Sequence, residues 1–332
     1  MKIGIPRALL FYHFYPLWKT FFENLGFQVI LSPETNKKIL ERGIDLAVDD
    51  ACLPVKLYHG HVAELIGNVD ILFVPRIISI HPKEYICPKF LGLPDIIKCN
   101  VPNLPFVIDT EINLHKRKTD IFNHFLQVGK LLNKSKFHIV KAYFKAVNEF
   151  NKYNNLIKNK QIIPIDVLNS IEKKSILPEK QDNYNYKVLL LGHPYNIYDK
   201  HISMNLISKI KKMNVKVITY EMLSKKDLNY TTKLFSKPLF WTLGKRILGC
   251  ANHFLRSEEI NGIVHVASFG CGPDSLVGEL LERKMIREYR IPFLYLNLDE
   301  QTGEAGINTR LEAFLDIVEG RKYIETYIPT YG

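Results

Sequence analysis

Cysteine is scarce and unpaired in this 332-residue chain. The five cysteines, at 52, 87, 99, 250 and 271, form no CxxC pair, their number is odd and their spacing is wide. That excludes a disulfide framework and the paired-cysteine pattern of structural zinc. Long apolar runs are missing as well, since none reaches the roughly 18 residues that a membrane-spanning helix needs. The opening "MKIGIPRALLFYHFYPLWKTFF" lacks the basic region, unbroken apolar core and small-residue cleavage site of a signal peptide. A cytoplasmic protein with no membrane partner is expected. Nucleotide-binding punctuation is absent too: there is no GxxxxGK[ST] loop and no sugar-kinase-type phosphate loop, so ATP hydrolysis is not expected of this chain.

The composition is otherwise that of a globular protein, 46% hydrophobic and 24% charged. A net charge of +11 raises the question of nucleic acid. The lysines, however, are scattered over helix faces and loops, as in "KLLNKSKFHIVKAYFKAVNEFNKYNNLIKNK", and no nucleic-acid module or arginine-rich arm occurs. A nucleic-acid partner is therefore not expected.

Strand and helix signals alternate at both ends of the chain. "KIGIP", "FQVILS", "IDLAV" and "VDILFVPRI" read as strands near the N-terminus, and "YKVLLLG", "VKVITY", "GIVHVAS" and "IPFLYLNL" near the C-terminus. Helices separate them, including "NKKILERG", with Asn36 as its cap, and one that starts at Pro54 and stops at Gly67. This alternation predicts two mostly parallel sheets with helices on both faces. The expected division is an α/β unit over 1–111, a lysine-rich helical connector over 112–183, and a second α/β unit over 184–332 with a helical insertion at about 224–260.

Ligands of open parallel sheets bind at loops leaving the C-terminal ends of strands. Cys52, Cys87 and Cys271 are all read onto such loops, in the order apolar strand, cysteine, then proline within two residues. A helix starting there favours thiolate over thiol, and Gly270 and Gly272 beside Cys271 permit close approach of a bulky group. Three thiolates facing one cleft suit an iron–sulfur cluster with one exchangeable iron, or a catalytic zinc. Ordinary buried thiols are the competing reading. Cys99, in a turn-like stretch, and Cys250, in a helical one, read as structural thiols. His59 and His61 read as polar helix residues more than as ligands, and Asp274 as a residue favoured by the helix dipole. Asp49, Asp50 and Glu279 are candidate proton relays. Lys56, Lys89 and Arg76 are candidate counter-charges, and the loop "DEQTGEAGINTR" (299–310), despite Glu300 and Glu304, is a candidate cover for the cleft.

"AVDDACLPVKLYHGH", "VPRIISIHPKEYICPKFLGLPD", "FGCGPDSLVGE" and "LDEQTGEAGINTRLEAF" resemble the motifs of the activase-related subgroup of the 2-hydroxyacyl-CoA dehydratase and benzoyl-CoA reductase superfamily. The start of the chain resembles the start of that subgroup, and the likeness spans all but the lysine-rich middle. The resemblance implies two Rossmann-like or flavodoxin-like α/β domains with a [4Fe–4S] cluster in the interdomain cleft. Its three ligands map onto Cys52, Cys87 and Cys271, with Gly270 and Gly272 in the loop around it. It implies an ATP-hydrolysing activator protein, with its own cluster, as electron donor and an acyl-CoA-type substrate. In the dehydratases one electron passed to the thioester carbonyl gives a ketyl radical that expels the hydroxyl group. The implied activity is thus a dehydratase-like lyase or an ATP-coupled reductase component of anaerobic metabolism, open to association into an oligomer. A non-catalytic electron-transfer or assembly subunit is the alternative, and a zinc or thiol protein without a cluster is the alternative of another class.

Overall fold

The computed structural model of the chain describes residues 1–116, 120–173, 177, 183–224, 227–228, 239–283 and 287–327. Its first half carries β1 (Lys2–Ile5), α1 (Phe11–Asn24), β2 (Gln28–Leu31), α2 (Lys37–Leu46), α3 (Leu53–Leu65), β3 (Ile71–Phe73), β4 (Arg76–Ser79), α4 (Pro88–Asn100), β5 (Phe106–Ile108) and β6 (Glu111–Asn113). Helices α5 (Asp120–Leu131), α6 (Lys136–Lys160) and α7 (Pro164–Lys173) follow. The second half has β7 (Tyr186–Gly192), the single turn α8 (Pro194–Ile197), α9 (Leu206–Lys212), β8 (Val215–Ile218), α10 (Thr242–Ser257), β9 (Gly262–Ser268), α11 (Gly272–Leu281), β10 (Phe293–Leu298) and α12 (Glu304–Tyr327).

Two four-stranded parallel sheets result, in the orders β2-β1-β3-β5 and β10-β9-β7-β8. Counted from its own first strand, each sheet has the order 2-1-3-4. The α/β fold with mostly parallel sheets is therefore as expected. The central strands are the apolar ones. Every residue of β9 is buried, as are Val188–Gly192 of β7, because helices cover both faces. Of the helices read from sequence, α2 is capped by Asn36, whose side chain accepts from the Ile39 amide at 3.1 Å. Helix α3 ends two residues before Gly67, which has φ +79°.

Two expected strands are corrected. "IDLAV" forms no strand; its first residues complete α2, which runs to Leu46. "VDILFVPRI" is interrupted at Val74–Pro75, giving β3 and β4. Proline has no N–H for the ladder. Pairing with the neighbouring chain resumes at Arg76, whose amide donates to the Thr110 carbonyl at 3.2 Å, and β4 then pairs with β6. The insertion at about 224–260 contributes α10; its positions 225–226 and 229–238 lie outside the described residues. Among the described residues no helix is long and apolar enough to cross a membrane.

Contacts between the two halves include polar ones, some of them buried. Asp199, after α8, accepts from the Tyr12 hydroxyl at 3.1 Å and from Thr35, and Thr35 in turn meets Nε2 of His61 at 2.9 Å. The Ser32 hydroxyl meets His61 Nδ1 at 2.9 Å, so both ring nitrogens are engaged. Tyr85 exchanges backbone bonds with Phe240 and Thr242, and Lys245 pairs with Glu84 at 2.6 Å.

Burial holds His61 neutral, its pKa lowered to about 3, and likewise His124, lowered to about 4. The native state thus refuses protons that the unfolded chain accepts below its ordinary histidine pKa of about 6.5. Stability from these groups is complete above that pH and is lost as pH falls toward 4. The linkage slope is about 1.4 kcal/mol per pH unit per histidine. Urea unfolding of wild type and His124→Gln between pH 7 and 4.5 isolates one of them. Wild type should lose about 2 kcal/mol more over that range; parallel curves would refute the assignment.

Candidate functional site

Each of the three singled-out cysteines is the residue immediately before a helix. Cys52 precedes α3, Cys87 precedes α4 and Cys271 precedes α11. A proline in the first two helical positions follows each of them, namely Pro54, Pro88 and Pro273. Proline costs nothing there, since the first helical N–H groups lack intrahelical acceptors. The loop assignments need one correction: Cys87 and Cys271 follow strands, whereas Cys52 follows the α2–α3 turn. Its position still lies at the strands' C-terminal edge, because α3 runs back against the strand direction into β3.

The Cys271 loop packs against Cys52. Gly270 has φ +76°, a conformation that favours glycine, and a Cβ there would sit in ordinary contact with the Cys52 backbone at 3.5 Å. Gly272 is the first residue of α11, with open space around it and no left-handed conformation. Cys271 is 8% exposed, while Cys52 and Cys87 are half-buried. Burial pushes all three thiols up, and charge on the neighbouring cysteines adds to this for Cys52 and Cys271. First-turn amides at Val55, Lys89 and Asp274 act in the opposite direction, favouring thiolate. The protein alone therefore holds thiols, and a bound cation must displace their protons.

A fourth loop joins them. His193 follows β7 and precedes α8, which starts at Pro194. His193 and Cys271 thus leave the adjacent central strands β7 and β9, where the strand order reverses direction and α/β sheets place their ligands. Tyr195, 5% exposed, has its hydroxyl 2.7 Å from His193 Nδ1. Burial, then charge on Cys271 and Cys52, raises its phenol well above the ordinary value. His193, Cys271 and Asp274 each bring a polar atom within 4.8 Å of the others.

Asp274 is fully buried, more than a dipole-favoured helix residue needs to be. His265 Nε2 lies 3.4 Å from its Oδ1; His193 Nδ1 and Asn196 Nδ2 lie 3.7 and 3.4 Å from its Oδ2. Ser268 anchors Asn196 by donating to its side-chain carbonyl at 2.7 Å. Burial alone would raise the Asp274 carboxyl, but His193 and His265 outweigh it and hold the group below the usual carboxylate range.

The remaining candidates divide. Lys56 forms a 2.6 Å ion pair with Glu300, tying the first turn of α3 to the loop that follows β10. Lys89 lies near Cys52 and Cys87 and favours their thiolates. Arg76 instead grips Asp95 through two nitrogens at 2.7 and 2.8 Å. His59 is buried with Nδ1 2.8 Å from the Val55 carbonyl. Asp49, Asp50 and Glu279 are exposed, and Glu279 pairs with Arg283. Glu304 pairs with Lys209 at 2.7 Å. Cys250 is buried in α10, as a structural thiol should be. Cys99 is not: it lies on α4, exposed.

Residues 2–223 match the family described as CoA enzyme activase uncharacterised domain (DUF2229). The chain belongs to that family. The match takes in Cys52, Cys87, His193 and Tyr195 together with the whole lysine-rich middle, which the motif resemblance did not reach. It stops short of His265, Cys271 and Asp274. No curated protein matches the chain.

His193, Tyr195, Asn196 and His265 were missed from sequence. A signal existed for the first two: "LLLGHPYNI" repeats the strand, polar residue, proline order of the cysteine loops with histidine in the cysteine's place.

Proposed function

We propose that Cys52, Cys87 and Cys271 hold a [4Fe–4S] cluster, open at its fourth position, in the cleft between two α/β domains. The reading is supported by one observation: three cysteines distant in sequence each stand immediately ahead of a proline-started helix, and the Cys271 loop packs against Cys52 at Gly270. The donor set fits. Three thiolates suit iron–sulfur ligation, first-turn amides and Lys89 offset their negative charge, and the left-handed Gly270 turns the chain into Cys271. When bound, the cluster supplies low-potential electron transfer and Lewis acidity.

The chain's own residues then orient and enclose. Cys271 is nearly excluded from water, the Lys56–Glu300 pair ties the α3 start to the loop after β10, and Asp274 ties the first turn of α11 to His265 of β9. Family membership favours a place in a CoA-enzyme activation system. In this reading the chain accepts electrons from an ATP-hydrolysing activator with its own cluster and acts on an acyl-CoA-type substrate. A second reading is a single metal ion on His193, Cys271 and Asp274. It is disfavoured because the Asp274 oxygens already face His265 and Asn196.

The test is electron acceptance. Loaded protein, mixed without oxygen with an ATP-dependent activator of a dehydratase system, should gain an EPR signal that requires ATP. A loaded protein that dithionite reduces but the activator does not would remove the activator from the account.

A further inference from the structure

A cavity of about 590 Å³ lies where α1, α6 and the turn after β8 meet, and no cysteine is among the described residues that line it. That volume falls within the range of small-molecule pockets, about 300–1,000 Å³. Its walls are apolar: Phe14 and Trp18 come from α1, Ile112 from β6, and Val147 and Phe150 from α6. The Phe14 ring centroid lies 5.7 Å from that of Trp18 and 5.8 Å from that of Phe150, which makes one aromatic surface of α1 and α6.

The polar lining comes chiefly from the C-terminal half. Tyr220 and Glu221 stand in the turn after β8, and Arg246 of α10 is close enough to act on both. Glu221 Oε2 accepts from the Tyr198 hydroxyl at 2.8 Å, whereas its Oε1 and the Tyr220 hydroxyl are buried without a hydrogen-bond partner. Buried polar atoms left unpaired are costly, so such atoms beside a cavity favour an occupant with a polar head. Arg246 contacts His13 Nε2 at 3.5 Å and reaches no carboxylate at ion-pair distance among the described residues. Lys158 of α6 adds a second cation. Two cations therefore face one acid, Glu221, and burial pushes that carboxyl up and so reduces its negative charge.

We infer that this cavity binds a monocarboxylate with an apolar body, the head pairing with the Arg246 guanidinium and accepting from the Tyr220 hydroxyl, the body lying against Phe14, Trp18 and Phe150. The guanidinium fork matches a carboxylate's two oxygens, and the aromatic surface excludes water from the rest of the ligand. The inference is independent of the cluster reading, since no cysteine and no iron enters it. An occupant would touch α1, α6 and the turn after β8 at once, so it would hold the two halves of the chain together.

The experiment titrates the purified chain with decanoate, 1-decanol and decylamine, which share one apolar chain and differ in the head. Binding is followed by tryptophan fluorescence, because Trp18 lies in the wall, and by melting temperature. Decanoate should raise the melting temperature and bind about tenfold or more tightly than 1-decanol, with decylamine weakest. Arg246→Gln should bring decanoate to within about twofold of 1-decanol, and Arg246→Lys should restore part of the difference. Val147→Phe, which narrows the apolar part, should weaken decanoate and 1-decanol alike by about tenfold or more. If Arg246→Gln does not fold, the wild-type ranking and Val147→Phe decide. Wild-type protein that binds none of the three overturns the inference. Equal binding of 1-decanol and decanoate, or tightest binding of decylamine, overturns the anionic head. A preference for decanoate that persists in Arg246→Gln removes Arg246 as its partner, and binding unchanged in Val147→Phe places the ligand elsewhere; either result overturns the inference. Iron-free protein serves for every arm, so a missing cluster and a failed titration are read separately.

Discussion

Cys52→Ala, Cys87→Ala and Cys271→Ala should each purify without their iron, whereas Cys99→Ala and Cys250→Ala should keep it. The expectation follows from position. The first three thiols, each ahead of a helix with proline in its first two positions, make up the proposed site. Cys99 is exposed on α4, and Cys250 is fully buried inside α10. Loss of one ligand leaves two thiolates, too few to hold the cluster against water and chelators. Folding should survive in Cys52→Ala and Cys87→Ala, because both residues are half-buried, and in Cys271→Ala at the cost of a small cavity. Cys250→Ala should instead lower stability by about 1 kcal/mol through a small cavity, with iron intact. The decisive comparison is iron per folded chain beside the melting temperature. Iron loss in Cys250→Ala at an unchanged melting temperature would show that the ligand set is misassigned.

The second large effect comes from two glycines with no ligand role. Helices α2 and α3 cross with Gly43 and Gly60 at the contact. A Cβ on Gly43 would overlap the Lys56 carbonyl oxygen, and one on Gly60 the Ile39 carbonyl oxygen. Both obstacles are helix backbone, which does not swing aside as a side chain does. In an open helix position Gly→Ala gains about 1 kcal/mol of helix propensity. Here the overlap forces the helices apart and should cost about 3 kcal/mol or more net. The displacement falls on the turn that carries Cys52, so iron retention should fall along with stability. Gly92 on α4 is the control, its nearest obstacle being the end of the Ile96 side chain at 3.7 Å. Gly92→Ala should be neutral or stabilising by up to about 1 kcal/mol. Urea unfolding of the three variants separates the cases; equal stabilities would mean that the α2–α3 contact is looser than described.

The cysteine loops were legible because proline marks a helix start wherever it falls, and Pro54, Pro88 and Pro273 each fall just after a cysteine. A common site for the three loops was proposed only through resemblance, since sequence spacing says nothing about which sheet edges meet. "IDLAV" was misread because five apolar-rich residues fit a buried strand or the last turn of a helix equally well; the length of α2 back to its Asn36 cap decided it. Strands β5 and β6, three residues each, are too short for alternation to register. Cys99 looked like a turn residue in "DIIKCNVPNLP", yet α4 ends only at Asn100. The buried polar network was least legible. His265 is one polar residue in the apolar run "GIVHVAS", and nothing local shows that Asp274, nine residues on, faces it across the Cys271 turn.

The central claim is that three cysteines remote in sequence form one ligand set. Its most direct measurement is the iron and acid-labile sulfide content of wild-type protein reconstituted without oxygen. The account predicts a brown protein with about four of each per chain. A folded protein that stays colourless and binds no iron would contradict it.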